Sequence, residues 1–289
     1  MWVLLVLLTL GWGFNWPVMK LALMELPVWT FRALCVASGT IGLFLIARWQ
    51  GQSLRVPAGQ WTRLIVTATC NVALWNILIG YGLTLLPAGR SVILAYSMPV
   101  WALLLSVFIL HEPLNRRRLL GLALGMAGMA LLVGGEFTAL QTSPLGSILV
   151  VGAAFGWALG TVLMKRFPVS LGTTALTAWQ MLSGGLPIVL GALVLDAGQW
   201  KPIGTAAAFG LVYNMFFVFI FCYWAWFKIA TSAPPSVSSL STLMIPVVGV
   251  FSGILVLGES PHWQEYAALV LVIAALATVL IGPRAPASA

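Results

Sequence analysis

The sequence predicts an all-α membrane protein of ten transmembrane helices, arranged as two inverted five-helix repeats. Three observations carry this. The 289 residues are 61% hydrophobic and 7% charged, with a mean hydropathy of +1.04. That leaves too little polar surface to coat a water-soluble globule of this size. The chain also repeats itself. Trp12 opens a stretch ending in Met19-Lys20, and Trp157, 145 positions on, opens one ending in Met164-Lys165; Pro87, Pro99 and Glu112 recur 147 positions on as Pro234, Pro246 and Glu259. Finally, Lys and Arg collect in alternate links, as they do in chains that cross a bilayer repeatedly. With five spans per half, the second copy must enter the bilayer upside down.

Allowing about 20 apolar residues per crossing, the spans fall near 2–22, 28–48, 62–84, 89–110, 118–135, 145–165, 173–195, 205–228, 236–257 and 265–282. Met1-Trp2-Val3-Leu4 lacks the basic start of a signal peptide, so the first stretch is read as span one. The links carry helix breakers: Gln50-Gly51-Gln52, Leu86-Pro87-Ala88, the stretch from Glu136 to Pro144, Lys201-Pro202 and Ala233-Pro234-Pro235. No segment is long or polar enough for a soluble domain. The expected organisation is one transmembrane domain over 1–289, with repeats at about 1–140 and 145–284.

Orientation follows from charge. One side holds Arg48, Arg55, Arg63, Arg116, Arg117, Arg118, Lys165, Arg166, Lys228 and Arg284 against one acid, Glu112. The other holds Lys20, Arg32, Arg90 and Lys201 beside Glu25, Glu136, Asp196, Glu259 and Glu265. Ten cations against four put the first side, with both termini, in the cytoplasm. The formal charge of +8 is thereby explained by topology, and nucleic acid is not an expected partner. Cys35, Cys70 and Cys222 lie in apolar segments without the spacing of a metal site or a disulfide framework. His111-Glu112-Pro113 is no HExxH motif, and two histidines near span ends form no catalytic constellation. No enzyme activity, metal or cofactor is expected.

Candidate functional residues lie in mid-span. In span one Trp12, Asn15, Trp16 and Lys20 share a helical face; in span six Trp157, Thr161 and Lys165 do. In span eight Asn214, Phe217, Phe221, Trp224 and Lys228 align at the same spacing. Trp75, Asn76 and Tyr81 on span three, Tyr96 and Trp101 on span four, and Tyr213 on span eight complete the candidate binding set. Buried amides need partners or water. The alternative reading is that these amides bond neighbouring helices and the indoles fill core. Trp2, Trp29, Trp49, Trp61, Trp200 and Trp263 sit near span ends and fit an interfacial belt. Gly152, Gly156 and Gly160 form a small-residue ridge on span six, with Gly249 and Gly253 on span nine and Gly121 and Gly125 on span five. They are assigned to packing within the chain, which is compatible with a monomer; a dimer face on span five is the alternative. Pro17, Pro99, Pro187 and Pro246 each free a backbone carbonyl, and the equivalent pair Pro99 and Pro246 are candidate hinges. Arg32, the deepest cation, is read as snorkelling to the interface. Its counterpart in the other half is Gln180.

The Trp12 to Lys20 and Trp157 to Lys165 stretches, and the doubled run Pro87-Ala88-Gly89, Ser97-Met98-Pro99, Leu110-His111-Glu112 with Pro234, Ile245-Pro246, Leu257-Gly258-Glu259, resemble proteins with two EamA domains in the drug/metabolite transporter superfamily. The aromatic richness is most similar to YddG-type aromatic amino acid exporters of bacteria. The resemblance implies a cavity between the halves, lined by spans one, three, four, six, eight and nine. It implies export of small amphipathic metabolites, aromatic amino acids first, across a bacterial inner membrane. No acid lies in mid-span, so obligatory proton coupling is not expected. The expected partners are the small-molecule substrate and the lipid bilayer. A broader drug or metabolite exporter, or a scaffold or lipid-handling protein without a solute cycle, are the alternative readings.

Overall fold

Lipid offers the backbone no hydrogen bonds, so an apolar chain that crosses it must satisfy its own N–H and C=O groups, and a helix does so within one segment. The computed structural model describes residues 2–113, 116–138, 144–199, 201–232 and 235–280, and their side chains except 118, 132–138, 227, 230–232, 235–243 and 279–280. Trp200, Pro234, Arg284 and the side chains of Arg118 and Glu136 lie outside what is described. Among the described residues every regular element is a helix.

The first half contains α1 (Trp2–Leu23), α2 (Val28–Trp49), α3 (Trp61–Ala68), a π-helical segment Thr69–Leu74, α4 (Trp75–Leu85), α5 (Ala88–Ala95), α6 (Met98–Ile109) and α7 (Arg116–Thr138). The second contains α8 (Pro144–Arg166), α9 (Thr173–Leu195), α10 (Thr205–Val212), a π-helical segment Tyr213–Cys222, α11 (Tyr223–Ser232), α12 (Pro235–Leu257) and α13 (Trp263–Leu280). Among the described residues, seven stretches are long and apolar enough to cross a membrane: α1, α2, Trp61–Leu85, Ala88–Ile109, α8, α9 and Thr205–Trp226. A 22-residue helix such as α1 rises roughly 33 Å, against about 30 Å of hydrocarbon. The apolar parts described in α7, α12 and α13 are shorter, Leu119–Leu131, Met244–Leu257 and Trp263–Thr278. They fall on the spans predicted fifth, ninth and tenth.

The bundle has a basic end, where Arg48, Arg55, Arg63, Arg116, Lys165 and Arg166 collect, and an acidic end with Glu25, Asp196, Glu259 and Glu265. Helices of one half pack mainly on helices of the other: α2 on α9, α7 on α13, α1 on α12, and α4 and α6 on α8. Gly185 of α9 seats Val36 of α2 so closely that a Cβ there would lie 2.9 Å from a Val36 methyl. Gly152, Gly156 and Gly160 face Leu78, Leu74 and Asn71 of the third crossing, so that ridge packs within the chain.

Free helix starts need acceptors, and here each half supplies them to the other. The Asp196 carboxylate accepts from the Thr30 backbone N–H at 2.7 Å and the Thr30 hydroxyl at 2.8 Å, closing the start of α2. At the opposite end the Gln52 carbonyl oxygen accepts from the Ala175 N–H at 3.0 Å, closing the start of α9. Inside α1, Pro17 cannot bond the Gly13 carbonyl. The Ser252 hydroxyl of α12 donates to that oxygen at 3.2 Å instead.

The equivalent prolines differ in setting. Pro99 is the second residue of α6, after a break at Tyr96 and Ser97, whereas Pro246 lies inside the unbroken α12.

Candidate functional site

Among the described residues, two chambers with common walls lie between the halves, sharing Trp12, Tyr96, Met98, Trp157 and Tyr223. The first, about 120 Å³, reaches toward the acidic end past Asn15, Trp16, Met19, Arg32, Trp75 and Asn76. The second, about 320 Å³, reaches toward the basic end past Asn71, Pro99, Thr161, Met164, Thr177 and Gln180. The Trp75 and Trp157 rings approach within 5.0 Å at a tilt of 57°. Trp12 meets Tyr223 edge-on at 6.0 Å and Trp226 at 5.7 Å. These separations are those of favourable ring pairs.

Of the residues predicted from sequence, Trp12, Asn15, Trp16, Trp75, Asn76, Tyr96 and Trp157 come together on these walls, and Pro99 lines the second chamber. Others do not. Tyr81 is 40% exposed and accepts a hydrogen bond from the Trp29 indole at 3.0 Å. Trp101 turns toward Phe155, edge to face at 5.6 Å. The Tyr213 hydroxyl donates to the Gly11 carbonyl at 2.7 Å. Trp224 packs between the main core and a smaller apolar cluster that includes Leu8 and Cys222, and lines neither chamber. Asn214, fully buried, donates through its amide to the Gly210 carbonyl at 2.9 Å. Pro246 follows Ile245, which lines the second chamber.

The misplacement on the stretch Thr205–Trp226 has a physical cause. The predicted face assumed 3.6 residues per turn, but Tyr213–Cys222 is π-helical, and its wider turn rotates everything after it. Val218, Phe219 and Tyr223 therefore face the cavity where Trp224 was expected. Asn71, not singled out from sequence, lies inside the other π segment, Thr69–Leu74, and its Nδ2 donates to the Met164 sulfur at 3.1 Å.

Arg32 requires a correction. It does not snorkel: it is 2% exposed and lines the first chamber. One guanidinium nitrogen, Nη2, donates to the Met19 sulfur at 2.8 Å, a weak acceptor that brings no charge. Its buried Nε has no partner. Burying an ion costs several kcal/mol unless it is paired. Asn15 and Asn76, on the same walls, have the opposite vacancy, a buried Oδ1 without a donor. The Asn76 amide nitrogen is already committed to the Val72 carbonyl at 2.8 Å. In the other half Gln180 sits as Arg32 does, its Nε2 on the Met164 sulfur at 3.2 Å.

The acidic end is bonded across the halves. The Glu259 carboxylate accepts from Ala88 N–H at 2.6 Å and Gly89 N–H at 2.9 Å, where α5 begins, and faces the Lys20 ammonium at 3.7 Å. Lys20 also donates to the Leu86 carbonyl at 2.6 Å. Arg90 grips Glu265 through Nε at 2.9 Å and Nη2 at 2.7 Å. Glu25 accepts from Gly204 N–H at 2.6 Å. At the basic end Lys165 pairs with Glu112, but Lys165 is 68% exposed there. Thr161 and Thr173, which line the second chamber, are likewise exposed.

A polar, aromatic cavity enclosed between apolar helical halves defines a membrane carrier for small solutes. The EamA-like transporter family matches the chain twice, at residues 1–134 and 144–281. The chain belongs to that family, within the drug/metabolite transporter superfamily. It is 28% identical over 281 residues to "Uncharacterized transporter YvbV" of Bacillus subtilis, covering 96% of this chain and 90% of that one. It is 26% identical over 307 residues to "Probable amino-acid metabolite efflux pump" of Salmonella typhimurium, covering 97% and 95%. A crystal structure shares the fold with a TM-score of 0.66 and 21% identity over 96% of both chains.

Proposed function

We propose that the protein exports amphipathic amino acids, aromatic ones foremost, from the cytoplasm across a bacterial inner membrane. The observation that carries this reading is the wall of four indoles, Trp12, Trp16, Trp75 and Trp157, interleaved with Asn15 and Asn76 in one chamber between the halves. Ring faces receive an aromatic side chain by offset or edge contacts, and amides hydrogen-bond its polar end. The name of the Salmonella relative points to the same solute class.

The working architecture is ten spans in two inverted repeats, about 1–140 and 145–284, with both termini cytoplasmic and the basic end inside. The doubled family match, the two π segments at corresponding crossings and the reciprocal pairs Lys20–Glu259 and Lys165–Glu112 support it. In this reading the molecule rests closed at the acidic, outer end and opens inward through the second chamber. Pro99 and Pro246 act as hinges on the two sides. Arg32 is the one charged side chain among the described chamber walls, and transport runs downhill without obligatory proton coupling. The protomer suffices for the cycle.

Reconstituted vesicles loaded with a panel of labelled amino acids test the reading. Phe, Trp and Tyr are expected to leave faster than Ala, Thr or Lys, through purified protein only. Equal rates for all, or none above empty vesicles, overturn it.

A further inference from the structure

We infer that Arg32 is the anchor for the substrate's carboxylate, and that Arg32 with Asn15 and Asn76 forms a site for an α-amino carboxylate head group. The inference deepens the proposed function and rests on it for the identity of the substrate, while the anion site itself stands on the chamber's geometry.

The vacancies in this chamber are complementary to one kind of molecule. Arg32 is buried, faces no carboxylate among the described residues, and leaves Nε without an acceptor there. The guanidinium fork matches a carboxylate better than any other planar anion-binding group. Asn15 and Asn76 present unpartnered carbonyl oxygens from the same walls, and an ammonium has three protons and no acceptor. The indoles of Trp12 and Trp16 add ring faces, which also attract a cation. An amino acid thus fills each vacancy with its opposite: carboxylate on Arg32, ammonium on the asparagine oxygens, side chain against the indoles. The two methionines mark what distinguishes the halves. Arg32 leans on Met19 and Gln180 leans on Met164, so a head group entering through the second chamber passes from a neutral amide to a cation in the first. Binding is weaker at the entrance and stronger at the deeper station, which suits capture.

The test uses three compounds of one shape: L-Phe, 3-phenylpropionate without the ammonium, and phenethylamine without the carboxylate. Arg32→Gln is expected to raise the KM for L-Phe about tenfold or more, the loss of one charge-assisted hydrogen bond, and to abolish 3-phenylpropionate transport. Phenethylamine flux is expected to be unchanged or to rise. Asn76→Ala is expected to weaken L-Phe and spare 3-phenylpropionate. Arg32→Lys, which keeps the charge without the fork, should fall between, and it serves in place of Arg32→Gln if that variant does not insert normally. In parallel, benzoate is titrated against the purified protein with its tryptophan fluorescence as readout, where saturable quenching lost in Arg32→Gln is expected. If no amino acid is carried by the wild type yet benzoate binds through Arg32, the proposed function fails and the anchor stands. If L-Phe is carried with the same KM by a normally inserted Arg32 variant, and benzoate quenching persists, the anchor is refuted.

Discussion

Replacing Glu259 by Gln tests whether the bonding at the acidic end is a latch. Gln keeps the size and one oxygen, so it still accepts from Ala88 or Gly89, but not from both with a full charge, and it loses Lys20. The ion pair is partly exposed, at 24% and 14% of the two side chains, and screening limits it to about 1 kcal/mol or less. The lost charge-assisted bond at the start of α5 adds about 1.5–3 kcal/mol. Together these weaken the closed acidic end by roughly 2–4 kcal/mol, a shift of about 30- to 700-fold between end-closed and end-open states. The three native cysteines are buried and can be replaced, and a reporter placed at Met19, 2% exposed in the first chamber. Met19→Cys should resist an impermeant thiol reagent applied from the acidic side, and react with it once Glu259→Gln is added. The same change at the other end, Glu112→Gln, removes a pair whose lysine is 68% exposed, so its effect should stay within about fivefold. Unchanged protection of Met19→Cys in Glu259→Gln, at normal protein levels, would refute the latch.

Trp157→Ala should cut Phe and Trp efflux about fivefold more than Ala or Thr efflux, because one ring pair is worth roughly 1 kcal/mol; Trp101→Ala and Trp224→Ala, away from the walls, should show no such preference. Equal losses for small and aromatic substrates with Trp157→Ala would make that ring a packing residue. Efflux of a zwitterion should proceed with no imposed pH difference, and its initial rate should barely change when a pH gradient or membrane potential is collapsed; uphill accumulation driven by protons would overturn uncoupled transport. For topology, Arg117→Cys should be labelled by an impermeant reagent from the cytoplasmic face alone, and Gln199→Cys from the opposite face alone. The reverse pattern would invert the assignment.

What could be read from the sequence was whatever hydropathy and breakers encode. The long apolar helices follow directly from local composition; the break at Tyr96 and Ser97, inside the stretch expected as one span at 89–110, does not, since the equivalent Pro246 lies in an unbroken helix. The walls were harder. Trp12, Trp16 and Trp157 were legible because α1 and α8 are regular through those positions, so a 3.6-residue period gives the facing side correctly. Trp224 was not, because nothing in Tyr213–Cys222 signals a π-helical register, and one wide turn is enough to exchange it for Tyr223. Arg32 was misread for a different reason. Its position about a turn into α2 fits either a snorkelling side chain or an inward one, and only the packing of α1 and α4 against it decides. The partners of Lys20, Arg90 and Thr30 lie 166 to 239 positions away, beyond any local pattern.

The reciprocal helix caps bear on how such a chain changes over generations. Thr30 is closed by Asp196, Ala88 and Gly89 by Glu259, and Ala175 by Gln52; no cap of this set is supplied by the copy that contains the helix it closes. A substitution of one of these acceptors is therefore felt as an exposed backbone N–H in the other half, so each half constrains which changes the other tolerates. A fragment carrying one half alone would leave the starts of α2, α5 and α9 without these acceptors.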